Sequence, residues 1–156
     1  MNLAVPGCAA LLAAMAIGAS VRAGEIGMRG VSDLQQARVD YMLKCQGCHR
    51  PDGTGSDQSN PPMRGVVARF LSVPGGREFL GRVPGVSTVD LDDARLANLV
   101  NWTLYTFDPA HMPADFRPFT PQEIGHLRRN PLRLERATIR ARLVEGFTQA
   151  ETRTQP

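Results

Sequence analysis

From residue 32 onward, apolar positions recur at helical spacing rather than in alternation. In SDLQQARVDYMLK, residues 32 to 44, Leu34, Ala37, Tyr41 and the following Cys45 fall three to four positions apart. Ser32 or Asp33 offers the N-cap oxygen for that helix. A longer helix is predicted over residues 90 to 107, DLDDARLANLVNWTLYTF, with Asp90 as its cap. Asp92 and Asp93 then lie in its first turn, where negative charge suits the helix dipole. Leu96, Leu99, Val100, Leu104 and Phe107 form its apolar stripe, and Asp108-Pro109 stops it. Thr120-Pro121-Gln122-Glu123 reads as a capping box with proline at the first helical position. It opens QEIGHLRR, which ends near Asn130-Pro131. A last amphipathic helix is predicted over residues 133 to 147, RLERATIRARLVEGF, with frayed residues beyond it.

The segments between are loops by composition. Residues 50 to 65, RPDGTGSDQSNPPMRG, are rich in Gly, Pro, Ser and Asp, and HMPADFRPF after the long helix is Pro-bounded. Val73-Pro74-Gly75 and Val83-Pro84-Gly85 are turns around the short apolar pieces VVARFL and REFLG, too dissimilar to form a repeat. No segment alternates as a half-buried strand does. The fold class this pattern predicts is all-α, small and loop-rich.

Composition changes the picture mainly at the N-terminus. The chain has 156 residues, which suits one domain with a modest core. Residues 8 to 19, CAALLAAMAIGA, are too few to span a bilayer, which takes roughly 18 or more apolar residues. Ser20-Val21-Arg22-Ala23 follows, so residues 1 to 23 read as a secretory signal cut after Ala23, with an n-region that lacks Lys and Arg. Residues 24 to 31 then form a leader of the mature chain, with no membrane span and a periplasmic location. Cleavage removes Cys8 and leaves Cys45 and Cys48 as the remaining cysteines, which is no disulfide scaffold. It also removes Arg22, leaving 17 of the 18 basic residues against 15 acidic ones. A balance so near neutral carries no general nucleic-acid signal.

The chemistry concentrates at CQGCH, residues 45 to 49. A covalent haem c needs two cysteines at this spacing for its thioethers, and a histidine directly after the second to coordinate iron from one face. By composition the pattern arises by chance in about one chain per thousand. A redox CxxC calls for a thioredoxin-like βαβ context, whereas here a helix runs into a loop. A structural zinc site needs four ligands, and beyond the two cysteines only His49, His111 and His126 are available in the mature chain. The motif therefore assigns one covalent haem c to Cys45 and Cys48, with His49 as proximal iron ligand.

With these features in order, residues 32 to 130 resemble a class I c-type cytochrome, a small helical fold wrapped around one haem. The resemblance runs from the helix bearing Ala37 and Tyr41 through CQGCH and Pro51-Asp52-Gly53-Thr54-Gly55 to Pro61-Pro62-Met63-Arg64-Gly65, similar to the family's Pro-x-Leu-x-Gly step. It continues through the long helix, Met112-Pro113 with Phe116, and the TPQEI helix. Ala37 departs from the glycine usual at the family's close helix crossing. The resemblance implies Met112 as distal iron ligand, with His111 as the alternative and an open iron face as the remaining one. Met63 takes the leucine slot in the core, and His126 falls on the final helix. The resemblance also implies that the Pro61 carbonyl accepts from Nδ1 of His49. Trp102 and the arginines Arg77 and Arg82 are candidates for the haem edge and propionates.

The function implied is a periplasmic mono-haem electron carrier rather than an enzyme, working between a dehydrogenase or other donor and a downstream acceptor. The alternatives are a haem subunit of an oxidoreductase complex, a peroxidase-like open haem, or a gas-binding module. Residues 131 to 156 form a basic C-terminal extension. Arg128, Arg129, Arg133, Arg136, Arg140 and Arg142 face Glu135 alone between residues 128 and 142. That charge suits steering toward an acidic-surfaced dehydrogenase or oxidase.

Overall fold

The computed structural model describes residues 27–56 and 60–154. The apolar run at 8 to 19 and the cut after Ala23 lie outside the described residues. Among those residues there are seven α-helices and two short 3-10 helices, and an isolated bridge between Ser56 and Asn60 is the one β-type pairing. The fold is all-α, as the pattern predicts.

Helix α1 (Leu34–Lys44) starts at Asp33, whose side chain accepts from the Gln36 amide at 2.8 Å. It buries Ala37, Asp40 and Tyr41 and leaves Leu34, Val39, Met42 and Leu43 exposed, so its apolar residues are divided between inside and outside. A one-turn helix α2 (Gln46–His49) follows directly. After a loop come the 3-10 helix Ala68–Ser72, helix α3 (Gly76–Arg82) and the short α4 (Pro84–Ser87). These three were not legible as helices. Each is too short to show a period, and the two VPG turns mask the starts of α3 and α4.

Helix α5 (Asp93–Phe107) is the centre of the molecule. All five stripe residues, Leu96, Leu99, Val100, Leu104 and Phe107, are buried, each such side chain contributing about 1.5–3 kcal/mol. Its cap is Asp92, which accepts from the Arg95 amide at 2.9 Å, not Asp90. Three aspartates compete within four positions, and the cap goes to the one whose backbone is extended immediately before the first helical residue. Two buried asparagines on α5 fasten neighbouring chain. Asn98 accepts from the Ser32 and Asp33 amides, and Asn101 donates to the Gly30 and Phe119 carbonyls.

Helix α1 packs on α5, and so does helix α6 (Pro121–Arg128), which also lies against α3 and α4. The helix that α1 packs on is therefore the one that precedes Met112. Thr120 caps α6 as expected, accepting from the Glu123 amide at 3.2 Å. The Glu123 carboxyl does not close the box; it pairs with Arg77 at 2.5 and 2.7 Å. Helix α7 (Arg136–Thr154) begins later and runs further than the predicted 133 to 147. It lies on the 3-10 helix Ala68–Ser72 and on α3. There the buried Phe147 meets Phe70 edge-on with ring centroids 5.0 Å apart.

Candidate functional site

Cys45 closes α1 and opens α2, with a break in direction between them. The Cys48 and His49 amides both donate to the Cys45 carbonyl, at 3.1 and 3.0 Å. This single turn puts both thiols and the imidazole on one short piece of rigid backbone. Cys45 is half-buried, Cys48 is exposed, and neither is in a disulfide. Arg50 then turns the chain with a left-handed φ of 63°, a conformation unfavourable for a residue with a Cβ. Three bonds hold it: its amide donates to the Gln46 carbonyl at 2.7 Å, and its carbonyl accepts from the Tyr41 hydroxyl at 2.6 Å and from the Gly53 amide at 3.3 Å.

Beyond Arg50 the loop folds back over the histidine. The Gly55 amide donates to the His49 carbonyl at 3.0 Å, and the Met63 and Arg64 amides share the Gly53 carbonyl at 2.9 and 3.1 Å. Gly53 and Gly55 have left-handed φ values of 73° and 67°. A Cβ at Gly53 would enter the Phe107 ring, and one at Gly55 would strike the Asn60 carbonyl. Both positions require glycine for conformation and for space.

The loop brings Pro61 to His49. Nδ1 of His49 is buried, and no partner reaches it in full hydrogen-bond geometry. The Pro61 carbonyl acts on it from slightly off that geometry, raising its basicity, while burial, the larger effect, pulls the imidazole below its ordinary value of 6.5. A neutral ring with its proton held on Nδ1 leaves the Nε2 lone pair for a metal. Burial, with smaller contributions from Asp40 and Cys48, pushes the Cys45 thiol up to about 11. Redox dithiols work through a lowered thiol pKa, the opposite of what burial does to Cys45. No group of three or more His, Cys, Asp or Glu that would hold a metal ion occurs among the described residues. The zinc reading thus lacks its remaining ligands. Two unpaired thiols, a neutral imidazole and a backbone carbonyl behind it fit a covalently attached haem.

The other candidates gather around the end of α5. Met112 follows the 3-10 helix Pro109–His111 and packs half-buried against the core, as do Met63 and Trp102. Nδ1 of His111 lies 2.5 Å from Oδ1 of Asp108, and Oδ2 of Asp108 accepts from the Ala68 amide at 2.9 Å. The Phe107 carbonyl accepts from the Gly65 amide at 2.9 Å, which sets this group against the returning loop. Trp102 packs against Tyr41 and Phe107, with ring centroids 5.5 and 5.8 Å away. His126 is exposed on α6.

The arginines have partners that local sequence does not reveal. Arg77 pairs with Glu123, donates to the Arg117 and Pro118 carbonyls, and lies over Phe119 at 3.9 Å, so it is committed away from a propionate. Arg82 donates to the Asn130 carbonyl at 2.7 Å. Arg128 turns inward to the Ser87, Val89 and Leu91 carbonyls and to Asp93. Asp108 and Tyr41 are the residues whose roles sequence reading missed. The only local sign of Asp108 was the Asp-Pro step that ends α5.

Against known proteins, the chain is 32% identical over 121 residues to a Cytochrome c-552 of Thermus thermophilus, spanning 66% of this chain and 82% of that protein. A second Cytochrome c-552, also from Thermus thermophilus, is 32% identical over 107 residues, 57% of this chain and 82% of the relative. No family model matches the chain, and no solved structure matches it.

Proposed function

The chain belongs to the c-type cytochrome family, and from that premise we propose that it is an exported electron carrier with one haem, attached at Cys45 and Cys48. Electron transfer and covalent haem c go with the family. The single haem, the ligand set, the location and the partners are our reading. A haem held here supplies a one-electron iron couple.

The residues do the rest. Tyr41 and Gly55 fix the turn that carries His49, and the Pro61 carbonyl acts on its buried Nδ1. The observation that carries the reading is an imidazole with buried Nδ1 beside two unpaired thiols on one turn of helix. For the distal position we propose Met112, a half-buried thioether at the end of a braced turn. A soft neutral sulfur favours the reduced metal and raises the potential. His111 is the rival, since its Nδ1 is taken by a carboxyl and its Nε2 is left over, a common arrangement for a metal-binding histidine.

No helix among the described residues is long and apolar enough to cross a membrane. Export rests on the segment ending at Ala23, and we assign the periplasm from it. Partners are redox proteins met over small interfaces. Arg129, Arg133, Arg136 and Arg142 are exposed, which supports an acidic-surfaced dehydrogenase or oxidase as partner.

The test is the absorption spectrum of the haem-loaded protein, ferric and ferrous, beside Met112→Ala and His111→Ala. The weak long-wavelength band of ferric sulfur-ligated haem is expected in the parent, kept at least in part in His111→Ala, and lost in Met112→Ala. Its absence from the parent, with ready carbon monoxide uptake by the ferrous form, would overturn the closed carrier in favour of an open-faced haem enzyme or gas-binding module.

A further inference from the structure

Asp108 is a buried acid, 1% exposed, at the point where α5 ends. Burying a carboxyl group is costly unless its oxygens are bonded. Here each oxygen has a partner, Oδ2 the Ala68 amide at 2.9 Å and Oδ1 the His111 Nδ1 at 2.5 Å. The backbone repeats the tie, since the His111 amide donates to the Asp108 carbonyl at 3.3 Å.

A leucine would fill this space without the desolvation cost. What the acid adds is a junction among three segments: the end of α5, the start of the 3-10 helix Ala68–Ser72, and the turn Pro109–His111. That turn delivers Met112. The Met112 amide donates to the Pro109 carbonyl at 3.4 Å, longer than the usual range, and the Asp108–His111 contact ties the same turn.

We propose that Asp108 is a positioning residue for the Met112 sulfur. It acts through His111 and the Pro109–His111 turn, holding the thioether at a fixed distance from the α5–Ala68 junction without touching it. The proposal rests on the reading of Met112 as distal ligand. Ligating side chains are commonly oriented by such outer partners, whose removal typically costs tenfold or more in metal affinity or activity.

The test uses the haem-loaded protein with Asp108→Asn and, separately, His111→Ala, which keeps the Asp108–Ala68 bond while removing the partner of Oδ1. Both variants are checked for cooperative urea unfolding by far-UV circular dichroism. The expected result is a ferric long-wavelength band that persists but is reduced to half or less, bleaching at lower urea than the parent's, and a lowered midpoint potential. A merely structural role would move the unfolding midpoint and leave the native-state band and potential alone. Parental band and potential in a folded Asp108→Asn or His111→Ala would therefore overturn the proposal. Failure of the Met112 reading shows differently, as a parent that lacks the band or a Met112→Ala variant that keeps it.

Discussion

Tyr41 shows how much one side chain can determine. Its ring packs against Phe107 at 4.9 Å and Trp102 at 5.5 Å, and its hydroxyl donates to the Arg50 carbonyl at 2.6 Å. That bond holds the left-handed residue directly after His49. Burial, followed by the nearby Cys45 and Asp52, pushes the Tyr41 phenol up from 10.0 to about 12. The folded protein therefore binds this proton more tightly than the unfolded chain does. The resulting stability is fully present below about pH 10, falls as pH rises, and is gone above the folded value of about 12. Alkaline titration of tyrosine absorbance should show a component near pH 12 that Tyr41→Phe removes. A titration with the same midpoints in that variant would contradict the assignment. The same substitution leaves the Arg50 carbonyl with the longer bond from the Gly53 amide, 3.3 Å, and should cost about 1 kcal/mol in urea unfolding. Helical spacing put Tyr41 on the inner face of α1, but its partner was illegible. The bond exists because Arg50 adopts a conformation that its side chain disfavours, and no propensity announces that.

At the level of elements, the crossing of α1 and α5 is held by a buried pair. Asp40 is 0% exposed, and both its oxygens are engaged by Arg95, with Gln36 adding a bond of 3.0 Å. Arg95 keeps 44% of its side chain exposed, so the two partners stand in unequal positions. Removing Arg95 leaves a carboxylate buried with Gln36 for company, whereas removing Asp40 leaves an arginine free to turn to water. Arg95→Ala should therefore lower the urea midpoint clearly more than Asp40→Ala does. Equal shifts of the urea midpoints would show that the desolvation argument is wrong. The crossing also shows which elements the sequence could announce. Helices α1, α5 and α6 carry a cap, a period and enough length, and they were read nearly to their ends. The Ala68–Ser72, α3 and α4 segments form because Phe70, Phe79 and Leu80 find a core made by distant chain, so their helicity is tertiary in origin. In the site, CQGCH was legible because its chemistry is local. Pro61 was reached through the family pattern. The partners of Arg77 and Arg128 lie 46 and 35 positions away in sequence and had no local signature.

At the scale of the whole molecule, the basic extension is part of the core as well as part of the surface. Leu132 is buried and its amide donates to the Arg82 carbonyl at 2.8 Å. Phe147 is 3% exposed, meets Phe70 edge-on, and carries the Arg69 guanidinium over its ring at 4.8 Å. Phe70 in turn stacks on Phe79 of α3 at 5.0 Å, with Arg140 above it at 6.0 Å. Of the six arginines between 128 and 142, Arg128 and Arg140 are thus turned to the protein, and the remaining four face solvent. A steering field and a packed helix arise from the same segment, divided by face. If α7 shares one core with the haem-bearing half, damage at Phe147 must be felt at the iron. Phe147→Ala should cost about 3–5 kcal/mol, and the haem absorption and the helical signal should move together to lower urea. A separately folding appendage would behave otherwise, losing helical signal early while the haem spectrum unfolded at the parental midpoint. The continuous run of rings from Phe147 through Phe70 to Phe79 argues for a single transition.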